Sequence, residues 1–406
     1  MSLPIRGVLR GRPRLVDRRS LLWSIGAAAC VLACAACPSK DELPALEPLG
    51  EETPTPEVKR APVSGELRLW TDLSAEELAP ALAVVRADNP ELTITSTFGE
   101  GGRVGEASEV DLYLWSAPAF SRPPASRGEL LPLPADLLDR VAPRFRGAND
   151  TSIALSVRAR GIVAGRLMAN RPLSVLDLGD GRWLGEMVRT PATDVSFVEQ
   201  IAATLADHGE GKTGRFLGGL RRNTRVEGKV VADGAAAIRA VAAREASITW
   251  VDHTEFHRLL FPTFDPAMHP VTAEGVVAEA RLELLLPDRA HTGVPWTATV
   301  AAIPKGARME QAVAALAALL STGGQEAFAW PRREYSVLDD LAGPPGAPKR
   351  ADITWSEAGL AARAEWIEDA AFLADQVDLP PEPPAPPEAG PAGEAPTPEQ
   401  AASATD

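Results

Sequence analysis

Residues 247–260, which read SITWVDHTEFHRLL, constrain the fold most because a strand pattern runs directly into a helix pattern. Residues 247–251 are rich in β-branched and aromatic side chains, which favours a short buried strand. Asp252 and Thr254 are typical of the residue that begins a helix, and the apolar spacing beyond them is helical. The first turn of a helix presents unpaired N–H groups and a partial positive charge. We therefore expect a small-ligand site, if the chain has one, at this corner.

Strand patterns alternate with helix patterns along much of the chain, as in residues 66–70 and 92–98, which flank a helix pattern. This alternation predicts an α/β fold with a largely parallel sheet. In such sheets the ligand crevice lies beyond the carboxyl ends of the strands. We therefore expect three chain segments to meet on one rim, at Asp72, Ser116 and Asp252, and we take Asp72, Ser116 and Thr254 as candidate ligand contacts.

The charge distribution excludes two classes of partner. The chain has a formal net charge of −14, although residues 1–33 carry six arginines and one aspartate. The remaining chain is therefore still more acidic, and it repels nucleic acid and anionic lipid. The three cysteines, Cys30, Cys34 and Cys37, all lie near the N-terminus. We expect neither a disulfide nor a cysteine metal site in the body of the protein.

The first 37 residues have the order of a bacterial export signal. Six arginines precede the apolar residues 21–32, and small residues with Cys34 and Cys37 follow. The apolar run is short for a membrane span, and a plain transmembrane anchor is the alternative. VLAC, ending at Cys34, resembles the lipobox of bacterial lipoproteins, whose cysteine is acylated; CAAC, ending at Cys37, is the second choice. Residues 17–22, DRRSLL, also resemble a weak twin-arginine signal. We expect a lipid-anchored protein on the periplasmic face of the cell envelope.

Two segments of biased composition flank the body. Residues 38–64 are rich in Pro, Glu and Ala, which predicts a flexible tether. Residues 377–406 contain nine prolines and no Lys or Arg, which predicts a disordered tail. Residues 65–376 remain for the folded body, which is long enough for two lobes.

Residues 152–163 read as an extended segment that crosses between the lobes. Arg158 and Arg160 point the same way if this segment is a strand. The pair is either a cationic wall for an acidic ligand or anion, or two solvated surface charges. Their spacing leaves both interpretations open.

Residues Asp194, Val195 and Ser196 come at the start of a predicted helix. Free N–H groups and a serine hydroxyl at a helix start suit an anion. Helix capping would explain Asp194 and Ser196 equally well.

Segments spread between residues 65 and 338 follow the order found in one family, among them GELRLW, EVDLYLW, SVRARGIV, ITWVDH and EYSVL. They resemble the ferric-iron solute-binding proteins of bacterial ABC importers. The resemblance implies a two-lobed type II periplasmic binding protein of the α/β class, each lobe a mostly parallel sheet flanked by helices. We place one lobe at residues 65–158 with 262–305, and the other at 159–261 with 306–376.

The resemblance also implies an iron site, from which this sequence departs. Two adjacent tyrosines bind iron in the family, and Thr254 and Glu255 stand in their places. Ser116 stands where members often supply a glutamate, and Asp72 lies near the position of a histidine found in some members. The ferric site is therefore largely lost.

The anion site of the family is matched better. Its serine corresponds to Ser196, and its arginine corresponds to Arg158 or Arg160. No cofactor is certain, and the resemblance leaves open a bound iron or zinc ion with a synergistic anion.

A different metal site could use the two histidines of the corner. His253 and His257 are four residues apart and share one face of a helix, which is a ligand spacing. Glu255 lies on the opposite side, so a site of His253, Glu255 and Asp72 requires an irregular helix start. HTEFH also differs from the HExxH pattern of metalloproteases. The alternative is a surface histidine pair beside a helix cap.

The leading functional hypothesis is a monomeric extracytoplasmic lipoprotein that closes two lobes on a small molecule or ion and delivers it to an ABC permease. The alternative is a binding-protein-like envelope lipoprotein that has lost transport and acts as a scaffold or sensor. The missing tyrosines and the acidic tail favour that alternative. We expect no enzyme, because the chain has no nucleophile elbow, P-loop or metalloprotease motif.

Overall fold

A computed structural model describes residues 60–99, 110–116, 130–166, 168–260, 281–344 and 347–378. The predicted signal peptide with Cys34 and Cys37, residues 38–59 of the predicted tether and residues 379–406 of the predicted tail lie outside the described residues. Within the described ranges, no single helix is long and apolar enough to cross a membrane. One bent pair, Met309–Leu319 with Thr322–Ala329, passes the same test of length and composition when the two helices are taken together.

Strands and helices alternate along the described chain. The strands are β1 (Gly65–Thr71), β2 (Leu92–Phe98), β3 (Leu112–Trp115), β4 (Ser152–Gly165), β5 (Met187–Val188), β6 (Ile248–Asp252), β7 (Leu282–Leu285), β8 (Trp296–Ala302) and β9 (Tyr335–Ser336). The helices are α1 (Ala75–Asp88), α2 (Ala135–Leu138), α3 (Val195–Thr224), α4 (Gly234–Ala242), α5 (His253–Leu260), α6 (Met309–Leu319), α7 (Thr322–Ala329), α8 (Leu360–Glu365) and α9 (Ile367–Asp378).

The described strands pair in the order β2-β1-β3-β8-β4-β6-β5, and β7 and β9 also pair with β4. β1 is parallel to β2 and β3, and β5 is parallel to β6. The antiparallel pairings among the described strands all involve β4 or β8. The predicted α/β class is confirmed. Because β4 and β8 run antiparallel to their neighbours, the sheets contain both parallel and antiparallel pairs.

One strand, β4, belongs to both lobes. Residues 152–159 pair with β8 in the first sheet, and residues 160–164 pair with β6 in the second. Its apolar side chains are buried on both faces, as expected for a central strand. The predicted crossing segment is therefore a single strand, and it places Arg158 and Arg160 where the two sheets meet.

The lobes have separate apolar cores, which corrects the predicted lobe boundaries. Residues 306–355 were expected in the second lobe, but Leu316, Phe328 and Trp355 lie in the core of the first. Helices α6 and α7 pack against α1, so this part of the chain covers the first sheet. β7, which was expected in the first lobe, pairs with residues 162–165 of β4 in the second sheet, and Ile367 in α9 lies in the core of the second lobe.

The packed body extends beyond the predicted limits at both ends. The backbone N–H of Val63 donates to Asn89 Oδ1 at 3.1 Å, so residues 60–64 of the predicted tether contact the first lobe. Helix α9 continues to Asp378, whose carboxylate pairs with the buried Arg189. The tail predicted from residue 377 therefore begins two residues too early.

Gly219 in α3 allows a close approach to Gly179. A Cβ at residue 219 would lie 2.1 Å from the carbonyl oxygen of Gly179, whereas a Cβ at Gly218 would meet open space. We expect Gly219→Ala to lower the free energy of unfolding by about 1–3 kcal/mol, a usual cost of overpacking. Gly218→Ala is the matched control, and its better helix propensity should change that energy by about 0 to +1 kcal/mol. Denaturant unfolding measures both, and equal effects would contradict the close approach.

Candidate functional site

A cleft lies where the carboxyl ends of β1 and β3 face the starts of α3 and α5. Its volume is about 270 Å³. The first lobe contributes the ends of two parallel strands, and the second contributes two helix starts. The expected rim of one sheet is therefore formed by two sheets that face each other across the cleft. The cleft brings together most of the predicted ligand residues, namely Asp72, Ser116, Arg158, Asp194, Val195, Ser196 and Thr254.

A second cavity of about 340 Å³ lies against the second lobe. Arg160, the remaining predicted ligand residue, borders this cavity, with Thr190 and Asp233. Asp252 and Glu255 border both cavities. The two spaces therefore meet at the strand-to-helix corner between β6 and α5.

Asp72 and Ser116 hold each other at the rim. The backbone N–H of Ser116 donates to Asp72 Oδ1 at 2.8 Å, and its hydroxyl donates to Asp72 Oδ2 at 2.8 Å. The contact follows from topology, because β1 and β3 are parallel neighbours that end at the same edge. The Asp72 carboxylate is thereby fixed in orientation toward the cleft.

Arg158 lines the cleft and forms ion pairs with two carboxylates. Its NH1 lies 3.2 Å from Glu334 Oε1, its Nε lies 3.7 Å from Asp252 Oδ2, and its NH2 donates to the carbonyl of Ser116. Burial lowers the pKa of Arg158, but the carboxylates of Glu334 and Asp252 outweigh it and raise the pKa above its ordinary value. The interpretation as a solvated surface charge is therefore wrong.

Arg160 is 2% exposed and directed at the start of α3. Its NH1 donates to Ser196 Oγ at 2.9 Å and lies 3.4 Å from Asp252 Oδ1, and its guanidinium stacks over Trp250 at 4.9 Å. The Ser196 hydroxyl donates to Asp252 Oδ2 at 2.7 Å. The strand register explains this cluster, because Arg160 lies directly opposite Asp252 in the β4–β6 pair. Arg158 and Arg160 thus point the same way, and both face an internal carboxylate.

Asp194 has the capping role that the sequence left open. Its Oδ1 accepts from the backbone N–H of Ser196 at 2.9 Å, and α3 begins at Val195. An aspartate in this position satisfies one of the free donors of the first turn. Capping explains the contact of Asp194, while its carboxylate also borders both cavities.

Glu334 is a buried carboxylate that the sequence analysis missed. It is 1% exposed, and its Oε1 lies 2.7 Å from Arg332 NH2 and 3.2 Å from Arg158 NH1. The hydroxyl of Ser156 also donates to it. Burial raises the pKa of Glu334, but the two arginines and the serine outweigh burial and lower the pKa to about 2. The only sequence signal was the charged run that precedes Tyr335.

His253 and His257 do not face the cleft. They are 0% and 4% exposed, and neither borders either cavity, whereas Glu255 borders both. The Nδ1 of His253 accepts from the backbone N–H of Ala159 at 3.1 Å, and its ring stacks on Tyr335 at 4.9 Å. The structure places His253 beside His257 in the interior and Glu255 at the cavities. The predicted metal ligands His253, Glu255 and His257 are therefore not brought together, and the surface-pair alternative is wrong. Among the described residues, no three His, Cys, Asp or Glu side chains are grouped to hold a metal ion.

The physical reason lies in α5, which begins immediately after β6. Its two histidines are one turn apart on the helix face that packs against β4. Burial lowers the pKa of His253 to about 4, although Asp252 and Glu334 oppose the shift. Burial is the main reason that the pKa of His257 falls to about 3, and repulsion from the charges of His253 and Arg333 contributes to the same shift. Both rings are therefore held neutral in the interior.

Comparison with known proteins identifies the architecture. No family model matches the chain. Iron uptake protein A2 of Synechocystis sp. is 25% identical over 320 residues, which cover 77% of this chain and 84% of that protein. A Trichodesmium structure (IdiA, FutA) with iron and citrate matches 78% of this chain and 100% of its own, with a TM-score of 0.66 and 19% identity. A structure of ferric iron-binding protein A of Mannheimia haemolytica, in an open conformation, matches 77% of this chain and 98% of its own. Its TM-score is 0.66 and its identity is 20%.

This chain has the type II periplasmic binding protein fold. The predicted resemblance to the ferric-iron-binding periplasmic proteins is confirmed, and the similar proteins are binding and uptake proteins rather than enzymes. Within this binding-protein fold, the cleft lies between the lobes that β4 joins. The two tyrosines of the chain, Tyr113 and Tyr335, are 4% and 0% exposed and border neither cavity.

One ion pair links the two lobes of the periplasmic binding protein fold across the cleft. Arg258 of α5 lies 3.4 Å from Glu77 of α1 and 3.5 Å from Glu255. Burial raises the pKa of Glu255, with Arg258 opposing and the carboxylates of Asp252, Asp233 and Asp194 reinforcing the shift. The carboxylates of this corner therefore disfavour a further negative charge at Glu255.

Proposed function

We propose that this chain is an extracytoplasmic solute-binding lipoprotein of an ABC-type importer, and that it binds a small charged ligand in the cleft between its lobes. The observation that carries the proposal is the cleft itself, which is built from the carboxyl ends of β1 and β3 on one side and the starts of α3 and α5 on the other. This is where α/β sheets bind ligands. The similarity to iron uptake protein A2 and to ferric-binding proteins supports the same class of function.

The proposed ligand contacts are the cleft residues that the sequence analysis selected, with Asp72 and Ser116 on the first lobe and Ser196 and Thr254 on the second. Lobe closure brings them onto the ligand, and the contact between Arg258 and Glu77 connects the lobes. The acylated cysteine in this proposal is Cys34 or Cys37. It holds the protein at the membrane on the periplasmic face, where the permease receives the ligand.

Isothermal titration of the full mature chain tests the proposal. The probes are Fe(III), Zn(II), putrescine, phosphate and sulfate. We expect heat from at least one of them. Asp72→Asn removes a negative charge from the cleft wall, so it should weaken the binding of a cationic probe by about tenfold or more and strengthen the binding of an anionic probe. Asp136→Asn is the matched control, since it removes a carboxylate of the same lobe that pairs with Arg60 outside the cleft.

An absence of heat from all five probes would contradict the proposal. It would favour instead the scaffold or sensor without ligand transport. A ligand that bound equally well to Asp72→Asn would place the site elsewhere on the protein.

A further inference from the structure

The start of α3 and its neighbours form a complete set of anion donors, and an internal carboxylate already occupies it. Ser196 Oγ donates to Asp252 Oδ2 at 2.7 Å, Arg160 NH1 lies 3.4 Å from Asp252 Oδ1, and Arg158 Nε lies 3.7 Å from Asp252 Oδ2. A serine hydroxyl, two guanidinium groups and a helix start would suit a phosphate or a carboxylate ligand. Here the serine hydroxyl and both guanidinium groups converge on one side chain of the same chain, Asp252.

Asp252 is held rigidly in that position. It is 8% exposed, and it ends β6 directly opposite Arg160 in β4. Arg160 has two further fixed contacts, the Trp250 carbonyl at 3.1 Å and the Trp250 ring. An anion that entered the cavity would have to lie beside the Asp252 carboxylate, and like charges at such distances repel strongly in a partly buried site.

The rest of the cavity is also suited to positive charge. Asp194, Asp233 and Glu255 border it, while Arg160 is already paired with Asp252. Thr190, which also borders this cavity, adds no charge to it.

We propose that Asp252 is an internal counter-ion that selects the charge of the ligand. It occupies the anion donors Arg158, Arg160 and Ser196, and it leaves the adjoining cavity to a positively charged solute. This inference rests on the proposed solute-binding function and narrows its ligand class. Metal cations and organic ammonium groups share the required charge. Binding of Zn(II) in the titration would indicate a metal ion, and binding of putrescine would indicate an organic ammonium ligand.

The test compares phosphate binding by the full mature chain with that of Asp252→Asn. The amide keeps the shape of the side chain and removes its charge, so Arg160 and Ser196 lose their carboxylate partner, while Arg158 keeps Glu334. An added anion then no longer meets the Asp252 charge beside Arg160 and Ser196. We expect Asp252→Asn to bind phosphate about tenfold or more tightly than the unaltered protein. Asp233→Asn is the matched control, because Asp233 borders the same cavity but caps α4 through Ala236 N at 2.7 Å. It should gain no phosphate affinity.

Calorimetry and the phosphate-dependent rise in melting temperature report the result, and the melting curve shows whether each variant is folded. Asp252→Ser provides a second uncharged variant with the same expected gain. Equal phosphate binding by the unaltered protein and Asp252→Asn would overturn the proposal, as would two folded variants that gain none. A gain of phosphate binding without any cation binding by the unaltered protein would support the counter-ion role while contradicting the solute-binding function.

Discussion

Glu334→Ala should lower the free energy of unfolding by about 3–5 kcal/mol, the usual cost of removing one member of a buried ion pair. Glu334 is 1% exposed, and it is the common partner of Arg158 and Arg332, which lie 3.2 Å and 2.7 Å away. Its removal leaves two buried guanidinium groups short of negative charge. Urea unfolding at pH 7 measures the effect.

The control for Glu334→Ala is Glu357→Ala. The side chain of Glu357 is 81% exposed and pairs with Arg144 at 3.3 Å, so its removal should cost about 0.5 kcal/mol or less. Glu334→Gln should cost less than Glu334→Ala, because the amide still accepts from the arginines. A cost for Glu334→Ala as small as that of Glu357→Ala would contradict the proposed role of the buried network.

Acidification from pH 7.5 to 5 should destabilise the protein steeply through its two buried histidines. An unfolded histidine has a pKa of about 6.5, and burial lowers the folded pKa of His253 to about 4 and that of His257 to about 3. Because both folded values are depressed, the native state is favoured fully above pH 6.5, and stability is lost as the pH falls toward 4. Each histidine contributes a slope of about 1.4 kcal/mol per pH unit in that range.

Urea unfolding at several pH values measures this slope. His257→Phe keeps an aromatic ring and removes one titrating group, so it should halve the slope between pH 6 and 5. His291→Asn is the control, because the side chain of His291 is exposed, and its curve should follow that of the unaltered protein. A free energy of unfolding that stays constant from pH 7.5 to 5 would show that the pair is not buried as neutral rings.

The sequence predicts local elements well and long-range pairings poorly. The alternating pattern predicted the α/β class, and residues 247–260 predicted the β6–α5 corner, because both depend on neighbouring residues. The contact of Asp72 with Ser116 followed from the rule that parallel strands end at one edge, whereas Asp252 ends β6 in the other sheet and meets them across the cleft. The partners of Arg158 and Arg160 could not be predicted, because they depend on the β4–β6 register and on the return of the chain at Glu334.

Two further differences have simple physical causes. The four-residue spacing of His253 and His257 fixed their common face but not whether that face meets the cleft or the core. The apolar patterns of α6 and α7 indicated buried helices, yet such a pattern does not specify which sheet a helix covers. Helices α6 and α7 pack against α1, so residues 306–355 belong to the first lobe rather than to the predicted second lobe.

The most direct test of the proposed ligand class is native mass spectrometry of the protein purified from the cells that produce it. We expect one positively charged solute per chain, and a smaller fraction of chains with bound solute when Asp72 is replaced by Asn. Recovery of the chain with a bound phosphate, citrate or other anion would contradict the assignment of Asp252, and recovery without any solute would contradict the binding function itself.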